Sequence, residues 1–271
     1  MSHTRKNEGI DRRGFLRGSS LLMGGLAAAP FQMMMARQAA GKQTRAAFSP
    51  DYGPLAPVAD QNTGLPLIKL LAGFTYTTFG WAGDPLADGT PTPGLHDGMA
   101  VVKSMGPLAL LIRNHEVRGT GPSFGPTRRT YDPLAPGGTT NLLFHTGRGK
   151  LLETWTSLAG TSTNCAGGPT PWGSWITCEE TVDDTAQGFG KTHGWSFEVP
   201  AHGKAEPKPL RGMGRFVKEA VAIDPKTGVV YETEDRGTSG LYRYSDAALE
   251  KKRKLKLNPS FELSGEGTLE M

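Results

Sequence analysis

Short β-type runs, cut at close intervals by glycine and proline, leave this chain little choice but to fold as strands. The runs are Leu67 to Leu71, Phe74 to Phe79, Met99 to Val102, Leu108 to Arg113, Asn141 to Thr146, Leu151 to Trp155, Ser174 to Cys178, Trp195 to Val199, Ala220 to Ile223, Val229 to Thr233 and Leu241 to Tyr244. Connectors such as Asp224-Pro225-Lys226-Thr227-Gly228 carry the chemistry of tight turns. There are 37 glycines and 20 prolines among 271 residues, without a collagen period or low-complexity runs, which disfavours long helices. No amphipathic helix beyond about three turns is convincing before Ala247.

Three hairpins in this series share one layout: a polar or sulfur side chain opens, a strand, turn and strand follow, and a polar pair closes. The first runs from His96-Asp97-Gly98 to His115-Glu116. The second starts at Cys165, turns at Pro171-Trp172-Gly173 and ends at Glu179-Glu180. The third starts at Glu219, turns at Lys226-Thr227-Gly228 and ends at Glu234-Asp235. Such repetition suggests a β-propeller, where equivalent ends of successive blades converge on one axis. The expected fold class is therefore all-β, with Cys165 and the repeated acids meeting in one place.

Carboxylates gathered that closely raise one another's pKa unless a cation sits between them. Their hard oxygens suit calcium, manganese or ferric iron, whereas a lone thiolate is softer and suits iron or zinc, so the mixed set points to calcium together with a transition metal. Plainer readings stand beside this one. Each acid alone reads as a solvated strand end, and His115 as a satisfied structural histidine. Cys165 and Cys178 form either a disulfide or, for Cys178, a buried free thiol on the strand face it shares with Ile176 and Ser174. Trp172 and Trp175 read as core packing, and Lys251-Lys252-Arg253-Lys254 as a solvated helix end.

Residues 1–40 have the layout of a twin-arginine export signal. Asp11-Arg12-Arg13-Gly14-Phe15-Leu16-Arg17 precedes a weakly apolar stretch from Gly18 to Phe31 and small residues at Ala36, Ala39 and Ala40. The apolar run is too short for a stable membrane span. The expected partner is the export machinery, and the expected location periplasmic or extracellular. This segment also carries the chain's charge. Its six basic and two acidic residues account for the formal +4, leaving 24 of each sign beyond it, so no nucleic-acid partner is expected. Residues 41–66 form a lead-in, and 67–271 the propeller-like domain.

There is no Gly-x-Ser-x-Gly elbow, His-Glu-x-x-His, Walker loop, Cys-x-x-Cys or dinucleotide fingerprint. What the chain does contain is Arg113-Asn114-His115-Glu116, Gly138-Thr139-Thr140-Asn141-Leu142, Asn164-Cys165-Ala166-Gly167-Gly168-Pro169-Thr170-Pro171-Trp172-Gly173 with Thr177-Cys178-Glu179-Glu180, and Gly214-Arg215-Phe216-Val217-Lys218-Glu219. Over about residues 64 to 245 these stretches resemble the PhoX-type bacterial alkaline phosphatases. The resemblance implies a six-bladed propeller that holds Fe3+ and Ca2+ centrally and hydrolyses phosphate monoesters, sometimes diesters, without a serine nucleophile.

Carried over by position, Cys165 is the iron-ligating thiolate, and Glu180 or its neighbour Glu179 a carboxylate ligand. Glu219 is the acid of the Gly-Arg-Phe segment that also binds metal. By the repeat alone, Asp235 with Glu234 takes a calcium-side or bridging place, and Arg236 is the catalytic contact for substrate phosphate. Glu116 ranks below Glu180 as a ligand. Counting strands from Leu67 gives about three blades, so the chain is expected to cover half a propeller. The alternatives are a calcium-dependent lactonase-like propeller hydrolase and a non-catalytic exported binding module.

Overall fold

The structure, a computed structural model, describes residues 48–49, 53–202, 205–248 and 263–271. The signal segment and the basic run at Lys251 to Lys254 lie outside the described residues. The chain divides into two compact units, 1–78 and 79–271.

In the first unit, β1 (Phe48–Ser49) pairs with β2 (Gly53–Pro54) and β3 (Ala56–Val58) with β4 (Ile68–Leu70), both antiparallel. The strand expected at Phe74 to Phe79 is not formed. Thr78 instead turns its backbone N–H and hydroxyl onto the Asp60 carboxylate at 2.6 and 2.7 Å, and Thr63 adds two more hydrogen bonds at 2.9 and 2.7 Å. Burial opposes the charged form of Asp60, but these donors together outweigh it and hold the carboxyl well below its ordinary range.

The second unit contains three antiparallel meanders, each with its strands in sequence order. The first comprises β5 (His96–Met105), β6 (Leu108–His115), β7 (Gly137–His145) and β8 (Lys150–Thr161). The second comprises β9 (Asn164–Pro169), β10 (Ser174–Glu179) and β11 (Ser196–Pro200). The third comprises β12 (Lys218–Ile223), β13 (Val230–Glu234), β14 (Leu241–Asp246) and β15 (Gly267–Glu270). The fold is all-β, and among the described residues none of the sheets closes on itself. The turn between β12 and β13 is set by Asp224, whose carboxylate accepts from Lys226 N and Thr227 Oγ1 while Gly228 takes the left-handed position at φ 74°.

β10 is buried along its whole length because sheets cover both its faces. Ile176 and Cys178 face a core with Met213 and with Val221, Val230 and Tyr244 of the third meander. Trp175 faces the other way, into a core with Ile112, Leu158, Phe197 and Val199. The period-2 alternation of one strand thus serves two cores. Each fully buried aliphatic or aromatic side chain contributes about 1.5–3 kcal/mol. Cys178 is a free buried thiol and Cys165 is also free, so the disulfide considered above is not formed.

The opening strands of the three meanders lie side by side, and glycine permits this. A Cβ on Gly98 would stand 2.8 Å from Ala166 Cα and 2.9 Å from the Cys165 carbonyl; one on Gly168 would collide with the Val221 carbonyl. β5, β9 and β12 are thereby held together, and with them the ends of their hairpins. No helix among the described residues is long and apolar enough to cross a membrane.

Candidate metal centre

The three hairpins present their ends in the same way. His96 pairs with His115, Asn164 with Glu179 and Lys218 with Glu234. The next residue along each strand turns to the site, giving the pairs Asp97 and Glu116, Cys165 and Glu180, and Glu219 and Asp235. In every hairpin the closing acid donates its backbone N–H to the carbonyl of the residue before the opening strand. Glu116 reaches Leu95 at 2.8 Å, Glu180 reaches Thr163 at 2.8 Å and Asp235 reaches Val217 at 3.1 Å.

Leu95 and Thr163 occupy left-handed backbone, with φ of 49° and 51°. For a side chain as bulky as leucine or β-branched as threonine this stores about 1–2 kcal/mol of strain, and such strain concentrates at functional positions. Each hairpin also slips register beside the site, between His96 and Met99, between Thr177 and Glu179, and between Lys218 and Val221. Bulges of this kind re-aim the side chains that follow them.

The result is two overlapping groups of donors. Glu116, Cys165 and Glu180 offer one atom each within 4.8 Å of one another, as do Glu180, Glu219 and Asp235. Glu180 belongs to both. The Cys165 thiol donates to Glu219 Oε1 at 3.5 Å and lies 3.9 Å from Asp97 Oδ1. Burial, then the carboxylates of Asp97, Glu219 and Glu180, push that thiol far up from its ordinary value. Burial, hydrogen bonds with Asp235 and Glu116 and the charge of Glu219 push Glu180 up to about 7. Burial is the largest cause of both shifts and the gathered negative charge adds to it, a contribution that a bound cation would oppose.

Arg118 is the one cation within ion-pair reach of these acids among the described residues. Its Nη2 lies 2.5 Å from Glu116 Oε1 and 3.5 Å from Glu180 Oε2. Its Nε donates to the same Glu116 oxygen at 3.1 Å. The hydrogen bond and charge of Glu116 raise the guanidinium's pKa further.

Three buried supports fix the donors. Asn114, one residue before the pair at His115 and Glu116, donates to the Cys165 and Ala166 carbonyls at 3.0 and 2.7 Å and accepts from Trp175 Nε1 and Thr177 Oγ1. It ties the end of β6 to β9 and β10 with every polar atom of its amide used. Lys218, beside Glu219, is fully buried and donates to the Met213 carbonyl at 2.7 Å and Glu232 Oε2 at 2.5 Å, with its ammonium 3.6 Å from the Phe216 ring centre.

Glu179 forms the third support and is not at the site. Its carboxylate accepts from the backbone N–H groups of Ser162, Gly194 and Trp195 and lies 2.6 Å from His193 Nδ1. His193 Nε2 in turn lies 3.2 Å from Asp132 Oδ2, and all three side chains are buried. Burial disfavours the imidazolium, but the two carboxylates outweigh it and raise the pKa of His193.

Of the residues singled out in the sequence, Glu116, Cys165, Glu180, Glu219 and Asp235 are brought together. Glu179 and Glu234 are not, because consecutive residues of a strand point to opposite sides and only one of each acidic pair reaches the centre. Glu234 accepts instead from Gly240 N at 3.1 Å and Tyr242 Oη at 3.0 Å. Arg236 lies outside both groups, 52% exposed, with Nε 3.9 Å from Glu234 Oε1. His115 is buried and neutral, its pKa pushed down to about 3 by burial and by Arg113, with ring nitrogens on the Gly94 carbonyl and Thr140 Oγ1. Sequence reasoning missed Arg118 and undervalued Asp97. Asp97 was legible as the counterpart of Cys165 and Glu219, whereas nothing in the sequence distinguishes Arg118 from other surface arginines.

Comparison with protein-family models matches the chain to alkaline phosphatase PhoX over residues 50–151 and 144–271. No curated protein and no solved structure matches it.

Proposed function

The chain belongs to the alkaline phosphatase PhoX family, which makes it a phosphoric-ester hydrolase, and on that premise we propose that it hydrolyses phosphate monoesters at a calcium and iron centre. The observation that carries this reading is the meeting of Glu116, Cys165, Glu180, Glu219 and Asp235 from three separate hairpins. The family is metal-dependent, and the donors present fit such a group. Four carboxylates supply hard oxygen ligands, and one thiol offers the softer ligand that favours a transition metal.

In this reading Glu116, Cys165, Glu180, Glu219 and Asp235 would hold the ions, Glu180 belonging to both groups of donors. Bound cations supply Lewis acidity toward the phosphoryl group and acidify water. The chain's own residues then orient and neutralise. Asn114 holds the Cys165 backbone in place, and Lys218 fixes the strand that presents Glu219. Arg236, adjacent to Asp235 and half exposed, is the proposed contact for phosphate oxygens, through the bidentate fork that suits them. The meanders would be blades of a propeller around this centre, and the protein would reach the periplasm or exterior by the twin-arginine route.

Elemental analysis of the full chain purified after native export, paired with p-nitrophenyl phosphate hydrolysis, tests the proposal. Iron and calcium are expected in the wild type, and Glu180→Gln should lose both metal and activity because it removes the shared donor. A folded wild type holding neither metal would refute the reading.

A further inference from the structure

Resting on the metal-centre reading above, a second property of the site follows from Arg118. Its guanidinium is bound to the cluster at two points, Glu116 Oε1 and Glu180 Oε2, and Glu180 is the donor common to both groups. Yet the side chain is 69% exposed while its two partners are 18% and 14% exposed. It reaches the acids from the solvent side. The backbone beneath it is fixed, since Val117 N–H donates to the His115 carbonyl and Thr163 N–H to the Val117 carbonyl. The preceding backbone is thus tied down while the guanidinium, held only by its two acids and largely exposed, has solvent to move into.

The charges make this arrangement one of exchange. Glu219 and Asp235 have no ion-pair partner among the described residues, so within those residues Arg118 is the one cation in ion-pair reach of the four clustered carboxylates. Glu116 directs one oxygen at both Nε and Nη2, and a cation seeking that oxygen or Glu180 Oε2 must take it from the arginine. A guanidinium cannot ligate a metal and repels it at this range.

We propose that Arg118 is a built-in counter-ion of the metal-free centre, which an incoming cation displaces from Glu116 and Glu180. Arg118 thereby steadies the acids before loading and sets a threshold against weakly bound cations.

The test is calorimetric titration of Ca2+ alone into the metal-free full chain, wild type against Arg118→Gln and Arg118→Lys, with thermal melts of metal-free and calcium-saturated protein. An exposed ion pair contributes on the order of 1 kcal/mol or less, so Arg118→Gln should bind calcium up to about fivefold more tightly. Its metal-free form should melt about 2 °C lower, with the difference shrinking in saturating calcium. Arg118→Lys, which keeps the charge, should stay near the wild type. Unchanged or weaker calcium binding by Arg118→Gln, beside normal binding by the wild type, overturns the counter-ion role alone. No calcium binding by the wild type overturns the metal-centre reading and this proposal with it.

Discussion

Replacing Lys218 by methionine probes the scaffold that carries Glu219. The ammonium is fully buried, 2.7 Å from the Met213 carbonyl and 2.5 Å from Glu232 Oε2, while Glu232 itself is 1% exposed. Glu232 Oε1 already has no hydrogen-bond partner among the described residues. Burial raises the Glu232 pKa and the pairing with Lys218 only partly offsets it, so without Lys218 the acid's folded pKa rises further. Breaking such a pair from one side costs about 3–5 kcal/mol. For a unit of this size that lowers Tm by about 10 °C. The pH dependence has a definite sign: an acid whose folded pKa lies above its unfolded value costs nothing while protonated in both states, and the penalty grows as pH rises between the two values. Lys218→Met should therefore be milder near pH 5 and full at pH 8, by melts monitored with circular dichroism. Lys218→Met with Glu232→Leu removes the orphaned acid and should recover most of the loss. A Tm at pH 8 within about 2 °C of wild type would mean that Glu232 is solvated in the variant, and an equal loss at both pH values that the cost does not come from its charge; either refutes the reasoning.

Gly168→Ala should cost about 1–3 kcal/mol or more, since its Cβ meets the Val221 carbonyl and stands 2.9 Å from Val221 Cγ2; chemical denaturation reads the loss, and calcium titration should show weaker binding as β9 and β12 part. His193→Gln tests the buried Glu179–His193–Asp132 line. The raised folded pKa of His193 gives stability that is complete below its unfolded value near 6.5 and lost as pH rises through the folded one, so the gap to wild type should be wider at pH 6 than at pH 9 in urea unfolding. Cys165→Ser keeps a small polar side chain but removes the soft donor, and elemental analysis should find iron lost while calcium is retained more fully.

The period-2 patterning and turn chemistry were enough for an all-β chain and for hairpins ending at Glu116, Glu180 and Asp235. The alternation of Trp175 against Ile176 and Cys178 predicted a strand, and the same residues line the two cores on either side of it. What stayed hidden was which acid of each adjacent pair reaches the centre. Glu179 and Glu180 are equivalent as residue types; the bulge between Thr177 and Glu179 and the donors waiting at Ser162, Gly194 and Trp195 decide that Glu179 turns into the interior. The left-handed residues at Leu95 and Thr163 gave no local signal either, since neither is glycine or asparagine, and the surrounding pairing imposes that backbone. Arg118 becomes distinct only once Glu180 has been brought from 62 positions away to its guanidinium. Local sequence fixes strands and turns because backbone preference and side-chain alternation act over a few residues. The register between strands and the meeting of charges depend on packing across the whole unit, and only the tertiary structure decided those.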